Sequence, residues 1–508
     1  MNRLAPIDAA FLYMETPSSH MHVTGVIIVD PSTMHGGYSF EAIREMLASR
    51  IHLLPPYRRR LLTVPFHLSD PVFIEDPDFD ITNHVHRMAV PPPGGREELA
   101  AIIGDVAGRA LDRSKPLWET VVVEGAADGT VALICKVHHA CIDGVTGADL
   151  MSQLFDLEPD APEPPPPAEE WKPDRVPSDL ELLADAGRDR LLDPLRGLRG
   201  LGRLGTTVVR TATSAIGRDD DERSPALPFT APKTKFTGAL TPHRSVAFGQ
   251  ADFDDLHVVK KVFDVKINDV VLAACTIALR RYLQDHDDLP DKPLISMEPV
   301  SVHGEGTQEG TNQVSSMAVR LPVQLDDPVD QLLEIREDTK AAKEMHNAIG
   351  ADVLRDLTQF APPVLFNRAM RLYSSMGLAS HHRPVQNLVI SNVPGPPIPL
   401  YCAGARVVAV YPFGPLIEGA GINITVLSNM GNMDFGVIGC TETAPDLWQL
   451  ADGFGQAVKD LRAAADAVLA EREGEAAAAL DPSPTPAPTK RRAPRKKAAA
   501  KKAAPTAD

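Results

Sequence analysis

Pro162-Glu163-Pro164-Pro165-Pro166-Pro167 can form neither a helix nor a central strand, because proline lacks an amide donor and has a fixed φ. The run divides the 508-residue chain and forces any compact body to be built from the segments on either side. Residues 1–158 form a first block, residues 159–232 a linker, residues 233–473 a second block and residues 474–508 an Ala/Pro/Lys-rich tail expected to be disordered.

The first block alternates helical and strand patterns. Phe40, Ile43, Met46, Leu47 and Ile51 recur at helical spacing, as do Leu99, Ile102, Ile103, Val106 and Ala110. Two β-branched runs follow, Thr120–Val123 and Val131–Val137, separated by the turn-rich Gly125-Ala126-Ala127-Asp128-Gly129. The second block repeats this character. A helix is predicted over Asp269–Leu283, and strands over Asn387–Ile390, Arg406–Val410 and Ile422–Leu427. Asn429-Met430-Gly431-Asn432 forms a hairpin turn into Asp434–Ile438, and a last helix runs from Leu447 to Ala470. The fold class is therefore mixed α/β (α+β) in both blocks.

Within the linker, Leu191, Leu195, Leu198, Leu201, Leu204 and Val208 oppose Arg196, Arg199 and Arg203. Such a helix either lies at a membrane interface or docks on the body. No apolar run is long enough to span a bilayer, and the N-terminus lacks a signal-peptide pattern. Five cysteines without a Cys-x-x-Cys indicate a reducing, cytoplasmic setting. Lipid contact is then peripheral. The net charge is −17, but residues Lys490–Lys502 hold eight basic groups; the rest has 43 basic and 68 acidic residues, a net charge of −25. An acidic body is a poor nucleic-acid binder. The tail either contacts anionic lipid, binds nucleic acid or only solvates.

Chemistry concentrates at the end of the second β-branched run, in His138-His139-Ala140-Cys141-Ile142-Asp143-Gly144. An imidazole at a strand end is held by the sheet yet can face open space. With an ordinary pKa near 6.5 it is largely neutral at pH 7 and able to take a proton from an alcohol. Adjacent strand residues point to opposite faces, so one of the two histidines faces the reaction. Asp143 can orient the ring, and Gly144 permits a tight backbone turn. The alternative is a structural pair with Asp143 as a helix cap. Two histidines and one aspartate rarely hold a metal without a further ligand. His20 and His22, at i and i+2, read as surface residues. Gly-x-Ser-x-Gly and Walker A motifs are absent, and Gly304-x-Gly306 does not complete a dinucleotide fingerprint.

The same stretch resembles the His-His-x-x-x-Asp-Gly signature of the bacterial wax ester synthase/diacylglycerol acyltransferase family, within the chloramphenicol acetyltransferase-like acyltransferases. Pro6-Ile7-Asp8-Ala9-Ala10-Phe11-Leu12, Pro116-Leu117-Trp118, Asn268-Asp269 and Ser391-Asn392-Val393-Pro394-Gly395-Pro396 are similar to family segments in the same order. His303 departs from the family, which often has Arg after its Pro-Val-Ser-Val run.

The resemblance implies two chloramphenicol-acetyltransferase-like domains with an active-site tunnel between them. It implies His139 as general base, His138 in support, Asp143 orienting, and Asn268 as a donor to the oxyanion or else an N-cap. Pro116, Leu117, Trp118, Gly144 and Asp269 would shape the tunnel. No cofactor or metal is implied; acyl-CoA is a co-substrate, and the acceptor is diacylglycerol or a fatty alcohol, giving triacylglycerol or wax ester at a membrane or lipid-droplet surface. A carrier-linked condensation-type acyltransferase and a non-catalytic lipid-binding protein are the competing expectations.

Overall fold

A computed structural model describes residues 2–141, 152–162, 164–166, 171–192, 229–301, 314–349 and 363–480. Asp143, Gly144, His303, residues 193–228 of the linker and the basic tail lie outside them. Residues 1–465 form one compact unit and residues 466–508 a second.

Two six-stranded sheets carry the larger unit. The first has the order β12-β13-β2-β7-β6-β5. Its strands are β2 (His22–Asp30), β5 (Val85–Ala89), β6 (Trp118–Glu124), β7 (Val131–His138), β12 (Tyr401–Cys402) and β13 (Ala405–Phe413). The second has the order β10-β9-β11-β14-β15-β8. It comprises β8 (Arg244–Asp252), β9 (Leu294–Ser301), β10 (Val314–Leu321), β11 (Leu388–Val393), β14 (Ile422–Asn429) and β15 (Asn432–Cys440). A small sheet joins β1 (Asn2–Arg3), β4 (Val72–Glu75) and β3 (Arg59–Leu62). Only β5–β6, β9–β11 and β11–β14 pair in parallel within these sheets. Every strand expected from the β-branched runs is present, and Asn429–Asn432 closes the β14–β15 hairpin.

The helices are α1 (Pro6–Met14), α2 (Phe40–Arg50), α3 (Arg96–Gly108), α4 (Asp179–Leu192), α5 (Phe253–Phe263), α6 (Ile267–Asp285), α7 (Pro328–Ile349), α8 (Pro363–Ser375) and α9 (Leu447–Leu480). Hydrophobic residues at i, i+3 and i+4 explain α3: Leu99, Ile102, Ile103 and Val106 are buried, and Glu98 reaches back to the Gly95 amide at the N-terminus.

The first sheet draws strands from both sides of the linker. β13 pairs antiparallel with β2 from Arg406↔Asp30 to Phe413↔Thr24, with a bulge between Val407 and Ala409. At this crossing the buried Asp434 of β15 accepts hydrogen bonds from the Val410 amide (2.7 Å), Asn429 Nδ2 (2.9 Å) and Gln250 Nε2 (2.7 Å). Burial raises its pKa above the usual carboxylate range, against the pull of those three donors. Local patterning predicts a strand near Arg406 but not its partner in the other block.

A second junction forms where α3 lies on β8. A Cβ at Gly104 would sit 2.4 Å from the Arg244 carbonyl oxygen, which is backbone and cannot turn aside. Gly104→Ala is expected to destabilise the protein by about 2–3 kcal/mol, the scale of overpacking a tight contact. A denaturation midpoint equal to wild type would show that the helix lifts off at no cost.

Candidate active site

The paired histidines end β7, and neighbouring strands pin them from both sides. The His138 amide donates to the Leu117 carbonyl and the His139 amide to the Met21 carbonyl, both at 2.9 Å. After His138 the chain leaves the sheet as a 3₁₀ turn, His139–Cys141.

His138 faces inward and is 1 % exposed. Its Nδ1 accepts the Ala140 amide at 3.0 Å, which leaves the proton on Nε2. That nitrogen lies 3.6 Å from Glu15 Oε2, and Glu15 is ion-paired to Arg113. Burial lowers the pKa of His138, opposed by Glu15. Burial raises the pKa of Glu15, but His138 and Arg113 together hold the carboxyl below its ordinary value. His138 is thereby committed to shaping the turn. Neither Glu15 nor Arg113 stands out in the sequence, since nothing local marks a glutamate after α1 as the partner of a histidine 123 positions later.

His139 points elsewhere and is partly exposed. Phe11 of α1 stacks on its ring, with centroids 3.9 Å apart and planes inclined by 21°. This contact explains the Pro6–Leu12 motif: a short apolar helix places an aromatic face under the imidazole. Burial lowers the His139 pKa to about 4, while a hydrogen bond to the residue's own backbone works against it and His138 adds to the lowering. The ordinary value near 6.5 expected from the sequence is therefore corrected: low dielectric disfavours the charged ring. The ring is neutral at pH 7.

Pro116, Leu117 and Trp118 are buried beside this strand end. Trp118 donates from Nε1 to the Tyr57 carbonyl at 2.7 Å and stacks on His84 at 4.5 Å. His20 and His22 are not surface residues. His22 is 7 % exposed, pairs with His138 across β2–β7, and packs edge-on to it at 5.6 Å; His20 bonds the Gly108 carbonyl.

Asn268 is not the N-cap of α6. Lys266 occupies that position, and Asp269 Oδ2 accepts its amide at 2.8 Å. Thr339 Oγ1 donates to the other oxygen of Asp269, so both are held within the chain. Asn268 instead donates from Nδ2 to Glu298 Oε2 at 3.1 Å and accepts from Asn392 Nδ2 at 3.2 Å. No hydrogen bond joins Asn268 to His139 among the described residues. Val393 of β11 and Leu427 of β14 nevertheless belong to one hydrophobic cluster with Val137, Ala140 and Cys141 of the first sheet and its turn.

Comparison with known proteins fits this arrangement. Residues 4–271 match the wax ester synthase/diacylglycerol acyltransferase catalytic domain, and residues 310–462 match the WS/DGAT C-terminal domain. The chain belongs to the wax ester synthase/diacylglycerol acyltransferase family. It is 42 % identical over 474 residues to a Mycobacterium tuberculosis protein provisionally named a diacylglycerol O-acyltransferase, covering 92 % of this chain and 91 % of that one. The solved wax ester synthase/diacylglycerol acyltransferase of Marinobacter aquaeolei superposes with a TM-score of 0.65 at 25 % identity, covering 92 % of this chain and all of that one. The first condensation domain of the calcium-dependent antibiotic synthetase shares the fold, with a TM-score of 0.51 at 13 % identity over 91 % of this chain and 96 % of that one. In this member of the WS/DGAT family, the catalytic-domain match contains Phe11, Glu15, Trp118, His138, His139 and Asn268.

Proposed function

We propose that the chain transfers an acyl group from acyl-CoA to the hydroxyl of diacylglycerol or a long-chain alcohol, with His139 as general base. The observation that carries this reading is a neutral imidazole, held at a strand end and stacked on Phe11, inside the segment that matches the family's catalytic domain.

The neutral ring takes the hydroxyl proton as the alcohol oxygen attacks the thioester carbonyl. The C–O bond forms and the carbonyl π electrons move to oxygen. The resulting oxyanion collapses, the C–S bond breaks, and CoA thiolate recovers the proton from His139. No acyl-enzyme is required. A base with so low a pKa does not hold a proton in the resting site. The imidazolium arises only together with the oxyanion, so the pair adds no net charge to the low-dielectric interior.

Asn268 is assigned as an oxyanion donor and Asp143 as the group that orients His139. Pro116, Leu117, Trp118 and Gly144 are assigned to the tunnel wall. The two sequence blocks are assigned as the acyltransferase-like lobes. Among the described residues no helix is long and apolar enough to cross a membrane. Contact with a membrane or lipid inclusion is assigned to the protein surface.

The test is parallel assay of the purified chain with labelled palmitoyl-CoA and either diacylglycerol or hexadecanol. Ester from at least one acceptor is the expected result. CoA-dependent ester from neither acceptor would overturn the assignment.

A further inference from the structure

Glu298 is a buried carboxylic acid of the second sheet. Its residue is 5 % exposed, and Met317 stands opposite it in the β9–β10 register. One oxygen accepts from Asn268 Nδ2 at 3.1 Å. The other, Oε1, is buried with no hydrogen-bond partner among the described residues. A group placed only to brace the sheet would have both oxygens satisfied, because an unpaired buried polar atom carries a desolvation cost with no return.

A primary amide has two N–H donors on one end and an acceptor oxygen on the other. Asn392, a donor, faces the oxygen end of Asn268, and Glu298 faces the nitrogen end. Turning the amide over would set its NH₂ group against the NH₂ of Asn392. With Glu298 accepting and Asn392 donating, the two bonds match the amide in this orientation and leave one Nδ2–H unclaimed by them. Asn392 precedes Val393, which packs against the same extended hydrophobic cluster that includes Ala140 and Cys141 of the turn carrying His139.

We propose that Glu298 is a positioning residue for acyl transfer, holding the Asn268 amide so that its second N–H is directed at the oxyanion. The inference rests on the acyl-transfer reading above.

The carboxyl also suits this place in its neutral form. Burial pushes its pKa up to about 7, against the lowering effect of the Asn268 hydrogen bond and with a further rise from Asp269. Cys275, on the same helix as Asn268 and Asp269, is buried, and burial keeps it a neutral thiol. Asn392 on β11 and Met317 on β10 carry no charge. Below about pH 7 Glu298 accepts from Asn268 without adding negative charge near the oxyanion. Above it, the ionised carboxylate opposes that charge.

The full-length protein is assayed with palmitoyl-CoA and the acceptor it uses, as wild type, Glu298→Leu, Glu298→Gln and His139→Ala. Glu298→Leu frees the amide and is expected to lower kcat by about 10–100-fold, the usual cost of removing an orienting partner, with KM for palmitoyl-CoA changed less than about twofold. Glu298→Gln keeps an acceptor oxygen toward Asn268 but cannot ionise. It is expected to stay within about threefold of wild type near pH 6, and to lack the fall in kcat expected of wild type above about pH 7. The glutamine variant is nearly isosteric, so its pH profile decides the matter even if the leucine variant fails to fold. Wild-type kcat in Glu298→Leu, or an unchanged alkaline fall in Glu298→Gln, overturns the inference. Retained transfer in His139→Ala sinks instead the mechanism on which it rests.

Discussion

His139→Ala is expected to lower kcat for acyl transfer by at least about 10²-fold, the size of effect a general base supplies. The substitution removes the ring stacked on Phe11 but neither of the backbone bonds that pin the strand end, so the fold should survive. Circular dichroism and a melting curve close to wild type would show that chemistry alone was lost. The pH profile supplies an independent check. With the His139 pKa lowered by burial to about 4, the base is unprotonated throughout the neutral range, and its activity is lost only as pH falls through that value. An ordinary histidine would make the rate rise between about pH 5.5 and 7.5. Such a rise, abolished in the alanine variant, would show that the ring is better hydrated than its surroundings indicate.

Lys136→Met is expected to cost about 3 kcal/mol of stability, because it removes a buried ammonium from a half-buried carboxylate and two backbone carbonyls. The lysine side chain is fully buried in β7, two residues before His138. Its ammonium reaches three acceptors: Glu119 Oε1 at 2.6 Å, the Val106 carbonyl at 2.7 Å and the Arg109 carbonyl at 2.9 Å. The two carbonyls close the C-terminal end of α3, where a positive group complements the orphan carbonyls and the helix dipole. Burial lowers the lysine pKa while Glu119, its cross-strand partner, opposes that. Methionine fills the same space and satisfies none of the three. Equilibrium denaturation should show the midpoint fall. A change below about 1 kcal/mol would mean that water replaces the ammonium, as it does for exposed pairs.

The sequence carries the local structure well. Val131–Val137 reads as a buried strand because it is a short apolar run broken only by Lys136, and it lies between β2 and β6 in the sheet. The Asn429–Asn432 turn is legible because a glycine at positive φ closes a hairpin. Asn268 shows the limit of such reading. Helix starts are uncertain by a residue or two, and the cap falls on Lys266, which frees Asn268 to bond Glu298 and Asn392. Partners distant in sequence are not legible at all. Arg406–Val410 announces a strand, but only the folded chain shows that it pairs with Ile27–Asp30. Glu15 and Arg113 escape notice for the same reason, as does the lowered pKa of His139, which depends on what packs around it.

The pairing of β13 with β2 also bears on how the protein is made. Between Asp30 and Ala405 the ribosome must add about 375 residues, which takes roughly 20–75 s at about 5–20 residues per second. Throughout that interval the β2 edge that β13 will cover is bare, the kind of surface that recruits neighbouring chains. Protection of that edge during translation is therefore a demand that the order of synthesis itself places on the chain.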